Sequence, residues 1–227
     1  HVPPYECADV PDEGYPDGLT ANLAVKKLRA LSKGEKPFCL AVGFFKPHLP
    51  FTAPRKYWDL YDENAIPLSP VPNIPEGICR YALHNSGEFN GYLEGDERAS
   101  LDKSVSEVYA RKLRHAYFAC ISYIDAQVGK IIDELERLGE ADNTIIVVWG
   151  DHGWHLGDQR VWGKHTLMET SLRSTLIMKV PHSSKSIENH RIVSSIDIYP
   201  TLMELCGVSV PDGLDGNSFT KLLADPK

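Results

Sequence analysis

Val105, Tyr109, Leu113, Tyr117, Ile121, Ile124, Val128, Ile131, Leu135 and Leu138 follow one another in steps of three and four. That spacing lays an apolar stripe along one face of an α-helix and predicts a single helix about 50 Å long. Gly139 stops it. The apolar run Thr144–Trp149 then reads as a strand. Upstream, Pro37–Phe45 is a continuous apolar run flanked by polar residues, the pattern of a strand buried on both faces. Strands alternating with helices place the chain in the α/β class.

The remaining elements are shorter. Leu19–Leu31 is predicted as a helix with Leu23, Leu28 and Leu31 on one side and Gly34 as its stop. Pro54–Tyr61 reads as a short helix opened by its proline. Ser174–Val180 reads as a strand closed by Pro181, and Asp197–Cys206 as a helix capped by Asp197 and stopped by Gly207. Residues 1–18, rich in Pro, Asp and Gly, read as a surface loop. Residues 62–102 carry Pro and Gly without a period, and an irregular stretch of that length usually means function or partial disorder.

The 227 residues are 42% hydrophobic and carry a formal net charge of −7. The first figure is ordinary for a globular protein. The second disfavours nucleic acid and bare membrane as partners, while leaving room for a local basic pocket. No apolar run reaches the roughly eighteen residues of a transmembrane helix, so no integral membrane segment is expected. The chain starts at His1 and shows no signal peptide, so its natural beginning is expected upstream. Cys7, Cys39, Cys79, Cys120 and Cys206 lack C-x-x-C spacing, which argues against a zinc ribbon. Cys39 and Cys120, in apolar segments, are expected as inert core residues.

Two polar clusters end the two principal strands: Lys46-Pro47-His48 and Asp151-His152-Gly153. Ligands in open α/β sheets collect outside the carboxyl ends of strands, and an Asp beside a His suits a metal or an anionic substrate. Each cluster has a plainer reading, as a strand-end turn or as a snorkelling Lys with a surface His. The surroundings favour a site. Trp154, His155, Asp158, Arg160, Trp162, Lys164 and His165, broken by Gly153, Gly157 and Gly163, supply polar groups, aromatic walls and backbone freedom within one loop. If the two strands are parallel neighbours, both clusters share one sheet edge. Lys46, His48 and Lys164 then form an anion side, and Asp151 and His152 a metal side. A zinc site of His152, His155 and His165 is disfavoured, because Gly153 argues against the helix that ligands at i,i+3 need. No G-x-S-x-G elbow is present, and Thr166, Ser171 and Ser174 are hydroxyls without a catalytic setting.

Four stretches, in order, carry a resemblance: Phe44-Phe-Lys-Pro-His-Leu-Pro-Phe51, Tyr117-Phe-Ala-Cys-Ile-Ser-Tyr-Ile-Asp-Ala-Gln-Val-Gly129, Gly150-Asp-His-Gly-Trp-His-Leu-Gly157 and Trp162-Gly-Lys-His165. They resemble the type I sulfatases, and most of all the iduronate-2-sulfatase-like branch. Asp197-Ile-Tyr-Pro-Thr-Leu202 and Leu214-Asp-Gly-Asn-Ser218 resemble segments of the family's later part. The resemblance implies an alkaline-phosphatase-like α/β fold and hydrolysis of sulfate esters. It also implies a divalent cation, usually calcium, and a formylglycine made from Cys or Ser in a C/S-x-P/A-x-R motif. Carried over by position, it makes Asp151 and His152 metal ligands. His48 and Lys164 become the catalytic pair that holds the sulfate and assists the leaving oxygen, and Lys46 and Trp154 become pocket-lining, substrate-binding residues. The implied substrate is a sulfated saccharide, met in a lysosomal, periplasmic or extracellular setting.

The chain departs from the family in one respect. Cys79 is followed by Arg80-Tyr-Ala-Leu and Cys120 by Ile121-Ser-Tyr-Ile, and no serine fits the modification motif either. The nucleophile is absent from this chain, as are the paired Asp residues that the family places on its first strand. Both are expected before His1. Residues 1–227 are therefore expected to be the middle-to-late portion of a sulfatase catalytic domain, truncated at the back as well. Such a fold is incomplete, takes the missing N-terminal part as partner and is inactive alone. Two other readings stand beside this one. The first is a phosphatase, phosphodiesterase or phosphonate hydrolase of the same superfamily. The second is a non-catalytic module that binds sulfated glycans through His48 and Lys164.

Overall fold

Residues 1–18 do not run over the surface as a loop. A computed structural model of the chain describes residues 2–92, 94–183 and 186–224, and in it β1 (Tyr5–Ala8) is a strand. It leads into α1 (Pro16–Leu31) and pairs in parallel with β2 (Phe51–Pro54), Tyr5 opposite Phe51 and Ala8 opposite Pro54. Pro16 sits in the first turn of α1, where its missing N–H would have no partner anyway. α2 (Arg55–Trp58) follows β2 directly. Residues 62–102 then form short 3₁₀ turns and extended stretches, yet Leu83, Phe89, Ala99 and Leu101 within them are buried.

α3 (Glu107–Arg137) is the long helix expected from the apolar period. Ser106 caps it, its hydroxyl accepting the Tyr109 N–H at 3.2 Å, and Gly139 ends it at φ 74°. β3 (Ile146–Trp149) comes next. β4 (His155–Leu156) and β5 (Trp162–Gly163) form a small antiparallel hairpin. After α4 (Glu169–Leu172), β6 (Leu176–Lys179) pairs antiparallel with β3. No helix among the described residues is long and apolar enough to cross a membrane.

The chain divides into two compact units, His1–Pro181 and His182–Lys227. In the second, α5 (Ile198–Leu205) ends at Gly207, φ 65°, and α6 (Thr220–Ala224) follows. Asp197 does not cap α5 with its side chain. Its carboxylate accepts the N–H of Ser194 and of Asn217, each at 2.8 Å, in a capping box with Ser194.

The core of the first unit lies between α3 and β2. Leu49, Phe51, Ala53, Leu113, Ala116, Ala119, Cys120 and Tyr123 are fully buried there. The α3 face that meets the core is built from small residues as much as from large apolar ones. Ala116 and Ala119 let the backbones approach, whereas Ile121 of the predicted stripe is 45% exposed. α1 shows the same shift. Ala21, Ala24 and Leu28 are buried, and Leu23 is exposed. Cys120 is the inert core thiol expected, its pKa pushed up by burial to about 12, but Cys39 is exposed.

Pro37–Phe45 is not a doubly buried strand. It takes an extended path with no ladder partner among the described residues, and its side chains alternate between half-buried and exposed. Phe38 and Leu40 pack against the buried cluster of Leu28, Leu135 and Ala141, together with Ile146 of β3. β3 is likewise half-buried rather than buried.

At the polar centre lies Asp12, only 5% exposed. Its carboxylate accepts from Lys56 and Lys130 at 2.7 Å each, and from Tyr57 at 3.0 Å and Gln127 at 3.3 Å. Burial alone would raise its pKa, but these four donors outweigh burial and hold the carboxyl well below the usual carboxylate range. Asp12→Asn is expected to cost about 2–3 kcal/mol of stability, read as a lower midpoint in chemical denaturation. A depressed carboxyl contributes fully above its unfolded value, about pH 4, and loses that contribution as pH falls toward the folded value. The gap between wild type and variant should therefore narrow below about pH 4. A gap of equal size at about pH 3 and about pH 7 would show that the charge is not what stabilises the fold.

Candidate functional site

The turn after Pro37–Phe45 is fixed from the first turn of α1. The Asp17 carboxylate, 3% exposed, accepts the backbone N–H of Phe45 at 2.8 Å and of Lys46 at 2.9 Å. Pro47 and Pro50 are both in cis. Lys46 turns inward, donating to the carbonyls of His48 at 2.7 Å and Pro50 at 2.6 Å. Its ammonium also lies 4.5 Å from the centre of the Phe45 ring. Burial pushes its pKa below the ordinary lysine value. Two of its three donors thus hold the turn that presents His48.

His48 has its Nδ1 2.8 Å from the Leu49 carbonyl. A carbonyl can only accept, so Nδ1 carries a proton and Nε2 is the atom offered to the site. That nitrogen is 2.9 Å from Lys164 Nζ and 3.1 Å from Glu88 Oε1. Trp154, buried, stands beside the pair. Its ring centre is 6.2 Å from that of His48, and Lys164 Nζ lies 5.2 Å above it. The indole N–H has no hydrogen-bond partner among the described residues.

Lys164 is delivered by the β4–β5 hairpin. Gly163 adopts φ 153°, and a Cβ there would lie 2.7 Å from His84 Cε1, so the chain needs glycine where it passes the imidazole. The Trp162 N–H donates to Ser86 Oγ at 2.9 Å, and Phe89 stacks on Trp162 with ring centres 5.5 Å apart. The turn 84–90 is thereby fastened to β5, and Glu88 reaches Lys164 Nζ at 3.3 Å through Oε2 and 3.4 Å through Oε1.

Asp151 and His152 follow β3. The Gly150 N–H donates to the Thr175 carbonyl at 2.9 Å and the Gly153 N–H to that of Ser171 at 2.7 Å. A Cβ on Gly153 would fall 2.0 Å from the Thr170 carbonyl oxygen, which only glycine tolerates. His152 Nδ1 is 2.8 Å from the Gly153 carbonyl, and Nε2 is 3.5 Å from Asp151 Oδ2. The Asp151 side chain is 76% exposed. Among the described residues no group of three or more His, Cys, Asp or Glu side chains could hold a metal ion.

The expected pairing of the two segments is not found. β3 pairs with β6 and not with Pro37–Phe45, and what His48 meets is Lys164 from the hairpin, with the Trp154 ring beside them. His155 is fully buried, with Nε2 2.9 Å from Thr166 Oγ1 and Nδ1 3.3 Å from the Asp158 carbonyl. Burial keeps its pKa below the ordinary histidine value. It braces the hairpin against the segment that follows, and Asp158 closes the connection within the hairpin by accepting the Leu156 N–H at 2.9 Å. His165 is exposed, its ring 5.8 Å from that of His84. Asp17 and Glu88 escaped the sequence reading. Asp17 sits in a segment taken as loop and Glu88 in the aperiodic 62–102 stretch, and no spacing marks either.

Mouse iduronate 2-sulfatase is 30% identical over 241 residues, covering 92% of this chain and 43% of that protein. The chain thus spans less than half the length of that relative. A phosphonate monoester hydrolase from Silicibacter pomeroyi superimposes with a TM-score of 0.77 at 25% identity, over 96% of this chain and 43% of the other. The protein BT4656, in complex with its substrate D-glucosamine-2-N,6-O-disulfate, superimposes with a TM-score of 0.72 at 23% identity, over 93% of this chain and 52% of the other. These likenesses establish the alkaline-phosphatase-like α/β fold expected from the sequence. The sulfatase family model matches residues 2–208, nearly the whole chain, and the chain therefore belongs to the sulfatase family.

Proposed function

We propose that this chain is the middle-to-late part of a sulfuric ester hydrolase acting on a sulfated saccharide. The observation that carries the reading is the 2.9 Å contact between Lys164 Nζ and His48 Nε2, beside the unpartnered indole N–H of Trp154. A cationic donor and an imidazole beside an aromatic wall suit an anion with several oxygens. Displacement at sulfur builds negative charge on the leaving oxygen. Lys164 meets that charge with a compact ammonium. As the imidazolium, with Nδ1 held by the Leu49 carbonyl, His48 gives its Nε2 proton to the departing oxygen and is left neutral. Lys46 holds the turn on which His48 stands. A sugar substrate is supported by the mouse relative, an iduronate 2-sulfatase, and by the disulfated glucosamine of BT4656.

A divalent cation, calcium by the family resemblance, fits Asp151 and His152 as two of its ligands. Because His152 Nδ1 donates to the Gly153 carbonyl, Nε2 keeps its lone pair, and it lies close enough to Asp151 Oδ2 for both to serve one ion. Calcium takes about six to eight ligands, so these two residues are part of a site whose remaining carboxylates come from elsewhere in the enzyme. When bound, the cation and a formylglycine from an upstream segment would supply charge neutralisation at the sulfate and the attacking hydroxyl.

His48→Ala and Lys164→Ala are each expected to lower kcat/KM for an aryl sulfate about 10²- to 10⁴-fold in the complete enzyme, with little change in melting temperature. Activity within a factor of about two of wild type in either variant would remove that residue from the chemistry. The 227-residue chain alone should show no enzyme-like turnover of the same ester, whereas a protein extended upstream to include a C-x-P-x-R segment should. Enzyme-like hydrolysis by the isolated chain would overturn the reading of a divided site. Faster hydrolysis of phosphate or phosphonate esters than of sulfate esters by the complete enzyme would favour the phosphonate hydrolase likeness instead.

A further inference from the structure

We propose that Glu88 sets the charge of the ester this site accepts, favouring the single negative charge of a sulfate monoester over the two of a phosphate monoester. The inference rests on the hydrolase reading of His48 and Lys164 given above. The Glu88 carboxylate touches both residues, with Oε1 3.1 Å from His48 Nε2 and 3.4 Å from Lys164 Nζ, and Oε2 3.3 Å from that ammonium. The three groups are partly withdrawn from water, the Lys164 side chain being 16% exposed, Glu88 31% and His48 32%.

Glu88 is held there by its backbone. Ser86, fully buried at φ 53°, accepts the Trp162 N–H through its hydroxyl and the Asn90 N–H through its carbonyl, both at 2.9 Å. Its own N–H donates to His84 Nδ1 at 2.9 Å. Phe89, next to Glu88, is buried and stacked on Trp162, two residues before Lys164. The carboxylate and the ammonium are therefore mounted on two segments bolted together immediately beside them.

The charge balance follows. Lys164 and Glu88 cancel, and His48 Nε2 has one proton position, through which it either accepts from Lys164 or donates to Glu88. With a neutral imidazole these three groups together carry no net charge, and with an imidazolium they carry one positive charge. That balance suits a monoanionic ester. A dianion adds a second negative charge within a few ångströms of Glu88, where one charge–charge repulsion shifts an equilibrium by about tenfold to a hundredfold at intermediate dielectric.

The test compares kcat/KM for an aryl sulfate and the matching aryl phosphate in the complete enzyme at about pH 8, where the phosphate is a dianion. Glu88→Gln keeps the shape and removes the charge. The phosphate-to-sulfate ratio should rise about tenfold or more, chiefly through a lower KM for the phosphate, and Glu88→Asp should keep the wild-type ratio. Should the amide variant fail to fold, Glu88→Ala removes the same charge and is expected to move the ratio the same way. A structural role for Glu88 would reduce both activities in proportion. An unchanged ratio in a folded, uncharged variant of an enzyme that hydrolyses sulfate esters overturns this inference alone. A wild-type enzyme that hydrolyses neither ester overturns the hydrolase reading and this inference with it.

Discussion

Burying a carboxylate costs several kcal/mol unless it is paired, and the fold of the first unit is arranged around one that is. Asp12 draws its donors from two helices, Lys56 and Tyr57 on α2 and Gln127 and Lys130 on α3. Its backbone carbonyl accepts the Tyr123 hydroxyl at 2.9 Å, and that hydroxyl in turn accepts the Gly18 N–H at 2.6 Å. A well-packed apolar cluster could supply as much stability. What the charged cluster adds is direction. Each donor reaches Asp12 from one angle, so α1, α2 and α3 can meet in one register. A few residues on, Asp17 uses that register to grip the amides of Phe45 and Lys46. The position of His48 is thus set by two carboxylates near the start of the chain.

The site has a finished half and an open half, and the difference is visible in the hydrogen bonding. Around His48 and Lys164, backbone and side chains leave little freedom. Lys46 ties the turn, Ser86 and Phe89 fasten Glu88, and Gly163 permits the close passage by His84. Preorganised donors of this kind stabilise developing charge without reorganising during reaction. Asp151 and His152 are equally fixed in backbone, through Gly150 and Gly153, but the Asp151 side chain faces solvent with the half-buried His152 as its neighbour. On the proposed reading, a rigid backbone under an Asp–His pair is what a shared metal site would need from one of its contributors.

The sequence revealed what is periodic or local. α3 was legible because eight apolar residues repeat along it and Gly139 stops it, and β3 because it follows that stop. Residues 1–18 were misread because Asp12 finds its partners 44 to 118 positions downstream, at Lys56 and Lys130, and no local pattern announces such pairing. Pro37–Phe45 was misread because an apolar run reports low polarity, not which face will be covered. In the site, His48 was marked by its place after the Pro37–Phe45 run and Lys164 by the polar, aromatic loop around it, and the resemblance gave the two, 116 positions apart, a shared role. Glu88 lies in a stretch whose order comes from long-range bonds to β5, and so had no signal of its own.

Those misread faces bear on the proposed enzyme. The half-covered surfaces are Pro37–Phe45, with Phe45 57% exposed, and the β3–β6 pair, with Ile177 61% exposed. Extended backbone with unpaired edges and apolar side chains in water invites another strand to pair with it. These are also the two segments that end in His48 and in Asp151-His152, the residues that on the proposed reading work with a nucleophile and further metal ligands. One additional piece of chain that covered this surface would satisfy the backbone edges and bring ligands to the open half of the site together. In a longer sulfatase, folding and assembly of the metal site would then be the same event. Metal affinity should follow coverage of β3 and Pro37–Phe45, because the ion's remaining carboxylates would arrive only with that cover.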